Sequence, residues 1–264
     1  MTFHTDRGPE MDSTFSLSGK KILITGAASG MGREFARHAA ADGADIALLD
    51  LNGDGLEETV RLFGDGAKAL TATLDLGVWE DVEAAVNSTV EGLGGLDIVA
   101  HVAGWDAPGV FWEQPLEHWH KLISTNLWGA LHICRATVPK LLEAGSGRIV
   151  LVASDAGRVG SKGETVYAAA KGGQIALTKS LARELAPYGI CINVICPGPT
   201  RTPLLDQEEA DNPKLIEKLI RAVPLRRVGE VEDVARAIAF LASDASAYLT
   251  GQVMSVSGGL TMVG

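Results

Sequence analysis

Short runs rich in apolar residues alternate along this chain with longer stretches whose apolar positions recur every three or four residues. The runs are Lys21 to Thr25, Asp45 to Leu49, Lys68 to Leu74, Leu96 to His101, Ile149 to Ala153, Ile190 to Ile195 and Gln252 to Val256. Runs of this length and composition predict strands buried on both faces. Between them the spacing predicts helices over about Met31–Asp42, Trp79–Glu91, Leu116–Glu143, Val166–Ala186 and Val231–Ser243. Strand and helix alternating in this way imply a parallel sheet covered on both sides. Right-handed crossovers then bring the carboxyl ends of the strands to one edge. The expected fold class is α/β, a single doubly wound domain with a seven-stranded parallel sheet flanked by helices. Residues 1–16, polar and containing Gly8-Pro9, are expected as a flexible tail, and 17–264 as the domain.

The chemistry expected at that edge begins with Gly26-Ala27-Ala28-Ser29-Gly30-Met31-Gly32, which joins the first strand to the first helix. Glycines there let the backbone turn tightly and approach a pyrophosphate, and the helix end supplies unpaired N–H groups. Asp50 ends the second strand, 24 residues after Gly26. That is near the ~20-residue offset at which a carboxylate meets the ribose hydroxyls of NAD and repels a 2′-phosphate. Asp50 or Asn52 is also suited to cap a helix. Asp75 suits either the adenine amino group or a helix cap, and Ala103-Gly104 suits either close passage of a cofactor or a plain turn. Asn126, inside the long predicted helix, is placed to bend it by bonding backbone. Ser154 leaves the fifth strand, and Tyr167 and Lys171 share a helix face four residues apart. An ammonium beside a phenol lowers the phenol pKa and suits it to exchange a proton with a substrate oxygen. Pro197-Gly198-Pro199-Thr200-Arg201-Thr202 brings two hydroxyls back across the sheet edge. The acidic, then amphipathic stretch at about 203–225 reads as a lid or as a solvated loop with one packed helix.

Taken together, Thr25–Gly32, Asp50, Asn126, Ser154, Tyr167/Lys171 and Pro197–Thr202 resemble the short-chain dehydrogenase/reductase family across residues 17–264. The resemblance implies a Rossmann-type fold, NAD as cofactor, and a catalytic tetrad of Asn126, Ser154, Tyr167 and Lys171. It implies cofactor contacts at Gly26, Ser29, Gly30, Met31, Gly32, Asp50, Leu51, Asp75, Leu76, Ala103, Gly104, Tyr167, Lys171, Pro197, Gly198, Thr200 and Thr202, and assembly as a homotetramer. One departure is His101-Val102, where the family carries Asn-Asn; the first of those asparagines braces the sheet. Within the family, Ala153–Gly173 and the 251–262 tail are most similar to 2-hydroxycyclohexanecarbonyl-CoA and related alicyclic alcohol dehydrogenases. The implied substrate is an alicyclic or acyl-CoA-linked secondary alcohol, with Trp105, Asp106, Trp112, Asp155, Arg158 and Leu204 expected around it.

Composition narrows the partners. A formal net charge of −10, pI near 5.1 and no dense Lys/Arg cluster argue against nucleic acid and anionic membrane. Cys134, Cys191 and Cys196 form no C-x-x-C pair, and His118 and His120 do not share a helix face, so no metal site is expected. No apolar stretch approaches the ~20 residues a membrane span needs. No basic start leads into an apolar run. The expected protein is cytoplasmic, with a small-molecule substrate.

Overall fold

In a computed structural model, residues 15–64, 68–202, 205–206 and 213–263 are described. Leu204, residues 1–14 of the expected tail, and 203–204 and 207–212 of the expected lid lie outside the described residues. Seven strands form one sheet: β1 (Lys21–Thr25), β2 (Asp45–Asp50), β3 (Ala69–Thr73), β4 (Ile98–His101), β5 (Gly147–Val152), β6 (Ile190–Pro197) and β7 (Val253–Val256). Their order is β3-β2-β1-β4-β5-β6-β7, and every neighbouring pair is parallel. The chain reverses its direction of travel across the sheet between β1 and β4. Such a switch point opens a crevice at the carboxyl ends of the strands.

The apolar runs are continuous because helices cover both faces. Ile22, Ile24, Ile98, Ala100, Val150 and Val152 face one side, where Phe35 of α1 (Gly30–Ala41) and Ile238 of the helix Val231–Ala242 join them. Leu23, Val99, Ile149 and Leu151 face the other, against Val82 of α3 (Trp79–Leu93), Ile133 of α5 (Gly129–Ala144) and Leu185 of α7 (Thr165–Leu185). Each fully buried side chain of this size contributes roughly 1.5–3 kcal/mol. This double layer is what holds the carboxyl edge rigid.

Two elements depart from the pattern-based expectation. A helix α2 (Gly53–Arg61) follows β2, with the Asn52 side chain accepting from Gly55 N at 3.0 Å as its cap. The long helix from Leu116 is interrupted: α4 (Leu116–Ile123) runs into a π-helical turn, Ser124–Trp128, before α5 begins. The cause is Asn126, fully buried, whose Nδ2 donates to Leu122 O at 2.9 Å and to Trp105 O at 2.7 Å. Asn126 bonds backbone as expected, and at that point the regular helix gives way to a widened turn. The short α6 (Ala156–Val159) follows β5. Beyond β6, α8 (Pro213–Ala222) packs through Ile216 on Leu205 and Val228, a small cluster separate from the two main layers. The last helix, α9 (Val231–Ala242), starts with a reciprocal Glu230–Asp233 capping box.

Candidate active site

A cleft of about 820 Å³ opens along the carboxyl edge. It begins at the glycine loop. Gly26 has φ +71°, and a Cβ there would stand 2.6 Å from Ala103 N, so β1 and β4 close together only over glycine. Ser29, Gly30, Met31 and Gly32 follow on the cleft wall as the first turn of α1, whose leading N–H groups have no helical partner. Asp50 is fixed by two backbone donors, Ala28 N and Asn52 N, each at 3.0 Å. Asn52, not Asp50, caps α2. Leu51, Asp75 and Leu76 line the same end. Asp75 Oδ1 accepts from Gly77 N at 2.8 Å, closing a local turn, and Val78 is the N-cap of α3.

Ala103, Gly104, Trp105, Ser154, Tyr167 and Lys171 line the middle, and Pro197, Gly198, Thr200 and Thr202 the far side. Thr202 comes back across the opening, its Cγ2 3.8 Å from where a Cβ on Gly30 would be. Lys171 is buried, and its Nζ donates to Val152 O at 2.9 Å and lies 5.7 Å from the centre of the Tyr167 ring. Asn126 stands behind the wall and is not itself a lining residue. A Cβ on Gly104 would be 3.0 Å from Asn126 Oδ1 and 3.1 Å from Lys171 Nζ, so the absent side chain keeps these three groups adjacent.

The electrostatics differ from the simple phenol–ammonium expectation. Burial drives the Tyr167 pKa above its ordinary value, the nearby Asp106 carboxylate adds to the rise, and the Ser154 hydroxyl pulls the other way. Lys171 is lowered to about 8, again chiefly by burial. Desolvation and neighbouring negative charge dominate, and the resting phenol is neutral. Cys196, beside them, is pushed up to about 12 by burial and is an inert thiol.

The place left by the missing asparagine is filled. His101 is fully buried with Nδ1 2.9 Å from Thr25 Oγ1, and that oxygen accepts from Ala103 N at 3.3 Å. The imidazole thus ties β4 to β1 under the crevice.

Other expected positions do not reach the cleft. Asp155 is buried against the last strand, where its Oδ1 accepts from the Ser255 hydroxyl. Arg158 donates to Ser255 Oγ at 2.7 Å and Val263 O at 2.8 Å, stapling the carboxyl-terminal segment. Asp155 and Arg158 are thus both engaged with β7 and the carboxyl-terminal segment. Trp112 is 82% exposed and off the cleft. Conversely, His120, Lys121, Ser124 and Thr125 line it. Their i, i+4 pairing on one helix face was the available signal. Lys121 Nζ sits 4.1 Å above the Trp105 ring, and the His118 ring meets that indole edge-on at 5.8 Å. Among the described residues no group of three or more His, Cys, Asp or Glu is placed to hold a metal, and no helix is long and apolar enough to cross a membrane.

Residues 26–261 match the family profile described as Enoyl-(Acyl carrier protein) reductase. Oxidoreductase UcpA of Salmonella typhimurium is 37% identical over 252 residues, covering 93% of this chain and 96% of that one. The 3-oxoacyl-[acyl-carrier-protein] reductase FabG of Chlamydia pneumoniae is 36% identical over 252 residues, covering 95% and 100%. The crystal structure of levodione reductase superposes with a TM-score of 0.88 at 33% identity, covering 92% of this chain and 97% of that one. Carveol dehydrogenase from Mycobacterium avium, in complex with NAD, gives 0.87 at 32%, covering 92% and 98%.

Proposed function

This chain belongs to the short-chain dehydrogenase/reductase family of oxidoreductases, and on that premise we propose that it interconverts a secondary alcohol and a ketone with NAD as cofactor. The observation that carries the reading is the meeting of the glycine loop, Asp50, Ser154, Tyr167 and Lys171 on one cleft. The residues fit a nicotinamide dinucleotide. The loop presents unpaired N–H groups for a pyrophosphate, and the anchored Asp50 carboxylate suits a ribose diol and repels a 2′-phosphate. When bound, the nicotinamide supplies or takes up a hydride.

The chain's own residues handle the proton and the geometry. Tyr167 holds a proton on its phenol oxygen, and its neutral resting form is the one that donates to a ketone oxygen. Ser154 Oγ bonds the same substrate oxygen and fixes its distance. Lys171 offsets the charge left on the phenol and reaches the nicotinamide ribose. Asn126 holds the Trp105 backbone and the π-turn in place beside Lys171. Trp105 offers an apolar wall for an alicyclic or acyl-CoA-linked substrate. The proposed assembly is a cytoplasmic homotetramer formed through the helical segments that carry Asn126 and Tyr167 and through β7; the exposed Trp128 beside Asn126 supports the first of these faces.

A second reading, a 3-oxoacyl carrier-protein reductase, is favoured by the similarity to FabG and opposed by Asp50. The test is reduction of NAD against NADP, followed in the near ultraviolet, over cyclic and linear secondary alcohols and 3-hydroxyacyl thioesters. Tyr167→Phe is expected to keep NADH binding and lose about two or more orders of magnitude in turnover. Undiminished turnover in that variant removes Tyr167 from the chemistry.

A further inference from the structure

We propose that Thr59 and Arg33 act as a clamp behind the glycine-rich loop and preset it for the dinucleotide, making both of them positioning residues. Neither lines the cleft. Thr59 is fully buried on α2, and its Oγ1 lies 2.8 Å from Ala27 O and 2.9 Å from Gly55 O, while Arg33 Nε donates to it at 3.0 Å. Arg33, on α1, also donates through Nη2 to Ala28 O, to Gly55 O at 3.2 Å and to Glu58 Oε2 at 2.9 Å. The carbonyls of both alanines in the loop are therefore drawn to its rear, and Ala28 N is drawn to Asp50. Loop, ribose-binding carboxylate and α2 become one hydrogen-bonded unit. Its packing is equally close, since a Cβ on Gly55 would stand 2.8 Å from the Ala28 methyl.

The accounting of protons makes Thr59 the critical member. Its hydroxyl has one proton and two acceptors within reach. Gly55 O already receives Arg33, whereas Ala27 O depends on the hydroxyl. Replacing the hydroxyl by a methyl of the same shape leaves the buried Ala27 O and the half-buried Arg33 Nε without this partner. The loop then relaxes toward other partners, and its N–H groups leave the arrangement a pyrophosphate needs. Preorganisation of this kind appears in affinity for the cofactor and not in the chemical step.

This inference rests on the dinucleotide reading above. The experiment is a fluorescence titration with NADH, alongside steady-state kinetics, on the full chain and on Thr59→Val, Thr59→Ser and Arg33→Lys. Thr59→Val is expected to raise the NADH Kd about tenfold while kcat at saturating NAD stays within about twofold. Thr59→Ser is expected to return Kd to within about twofold of the parent. Arg33→Lys keeps the charge but loses the fork, and is expected to raise Kd about fivefold. A Thr59→Val chain that binds NADH as tightly as the parent, or a serine variant that fails to restore binding, overturns the clamp. Should Thr59→Val show no cooperative melting, Arg33→Lys decides in its place, and an unchanged Kd there overturns the proposal. A parent chain that binds neither NADH nor NADPH overturns the dinucleotide reading and the clamp with it. A parent that binds and variants that are indifferent sink the clamp alone.

Discussion

Acidification should destabilise this protein through one side chain, His101. Its Nδ1 faces the Thr25 hydroxyl at 2.9 Å, and Thr25 Oγ1 already accepts from Ala103 N. The other ring nitrogen, Nε2, has no partner among the described residues, so nothing stabilises a second proton on the ring. Burial first, and the Lys171 charge second, lower the pKa from 6.5 to about 3. Below pH 6.5 the unfolded chain takes up a proton that the folded chain refuses. Stability is thus level above that pH and falls as pH drops toward 3. At about pH 4.5 the loss is two pH units at 1.36 kcal/mol each, or about 2.7 kcal/mol, and it is insensitive to the folded value while that value stays near 3. His101→Asn removes this proton and leaves every other titrating group in place. Urea unfolding of both chains from about pH 7.5 to 4.5 gives the comparison. The parent is expected to lose about 2.7 kcal/mol more than the variant over that range, whatever their absolute stabilities. Parallel pH dependences would refute the buried neutral imidazole.

Gly26→Ala forces a Cβ to within 2.6 Å of Ala103 N at φ +71°. The expected cost is about 2–3 kcal/mol, with a melting midpoint lower by roughly 6 °C or more; an unchanged melt contradicts the close approach of β1 and β4. Because the Lys171 pKa is lowered to about 8, kcat/KM for ketone reduction is expected to hold below that pH and to fall as pH rises through it and the ammonium is lost. A rate that stays flat beyond about pH 9 rules out a charged Lys171 in the proton transfer.

The five central strands were legible because each is an apolar run covered twice, and the cleft because glycine, carboxylate and serine lie at the ends of such runs and tyrosine and lysine share one helix face. What escaped has local physical causes. Helix α2 carries two glycines and buries few large apolar groups, Leu56 foremost, so no strong repeat announces it. Asp155 follows Ser154 in sequence, yet the turn into α6 sends the two side chains apart, and the partner of Asp155 lies 100 residues away. Neighbours in sequence predicted neighbours in space, and a turn broke that rule. The raised Tyr167 pKa depends on the packing around the phenol and on Asp106, neither of which a Tyr-x-x-x-Lys spacing contains. His101 read as a missing brace, and only its distance to Thr25 reveals the replacement.

The π-turn at Ser124–Trp128 has a consequence for how the two helices joined there tolerate change. A widened turn takes up one residue more than a regular one, so the helix beyond it keeps the angular phase that regular winding of the same residues would lose. Each residue turns a helix by about 100°. Winding positions 124–128 as regular helix with every residue kept would therefore swing the apolar side of α5 off the sheet or turn His120 and Lys121 off the cleft. Length in this segment acts as an angle, and the two faces stay correctly aimed only because Asn126 keeps the surplus residue in place.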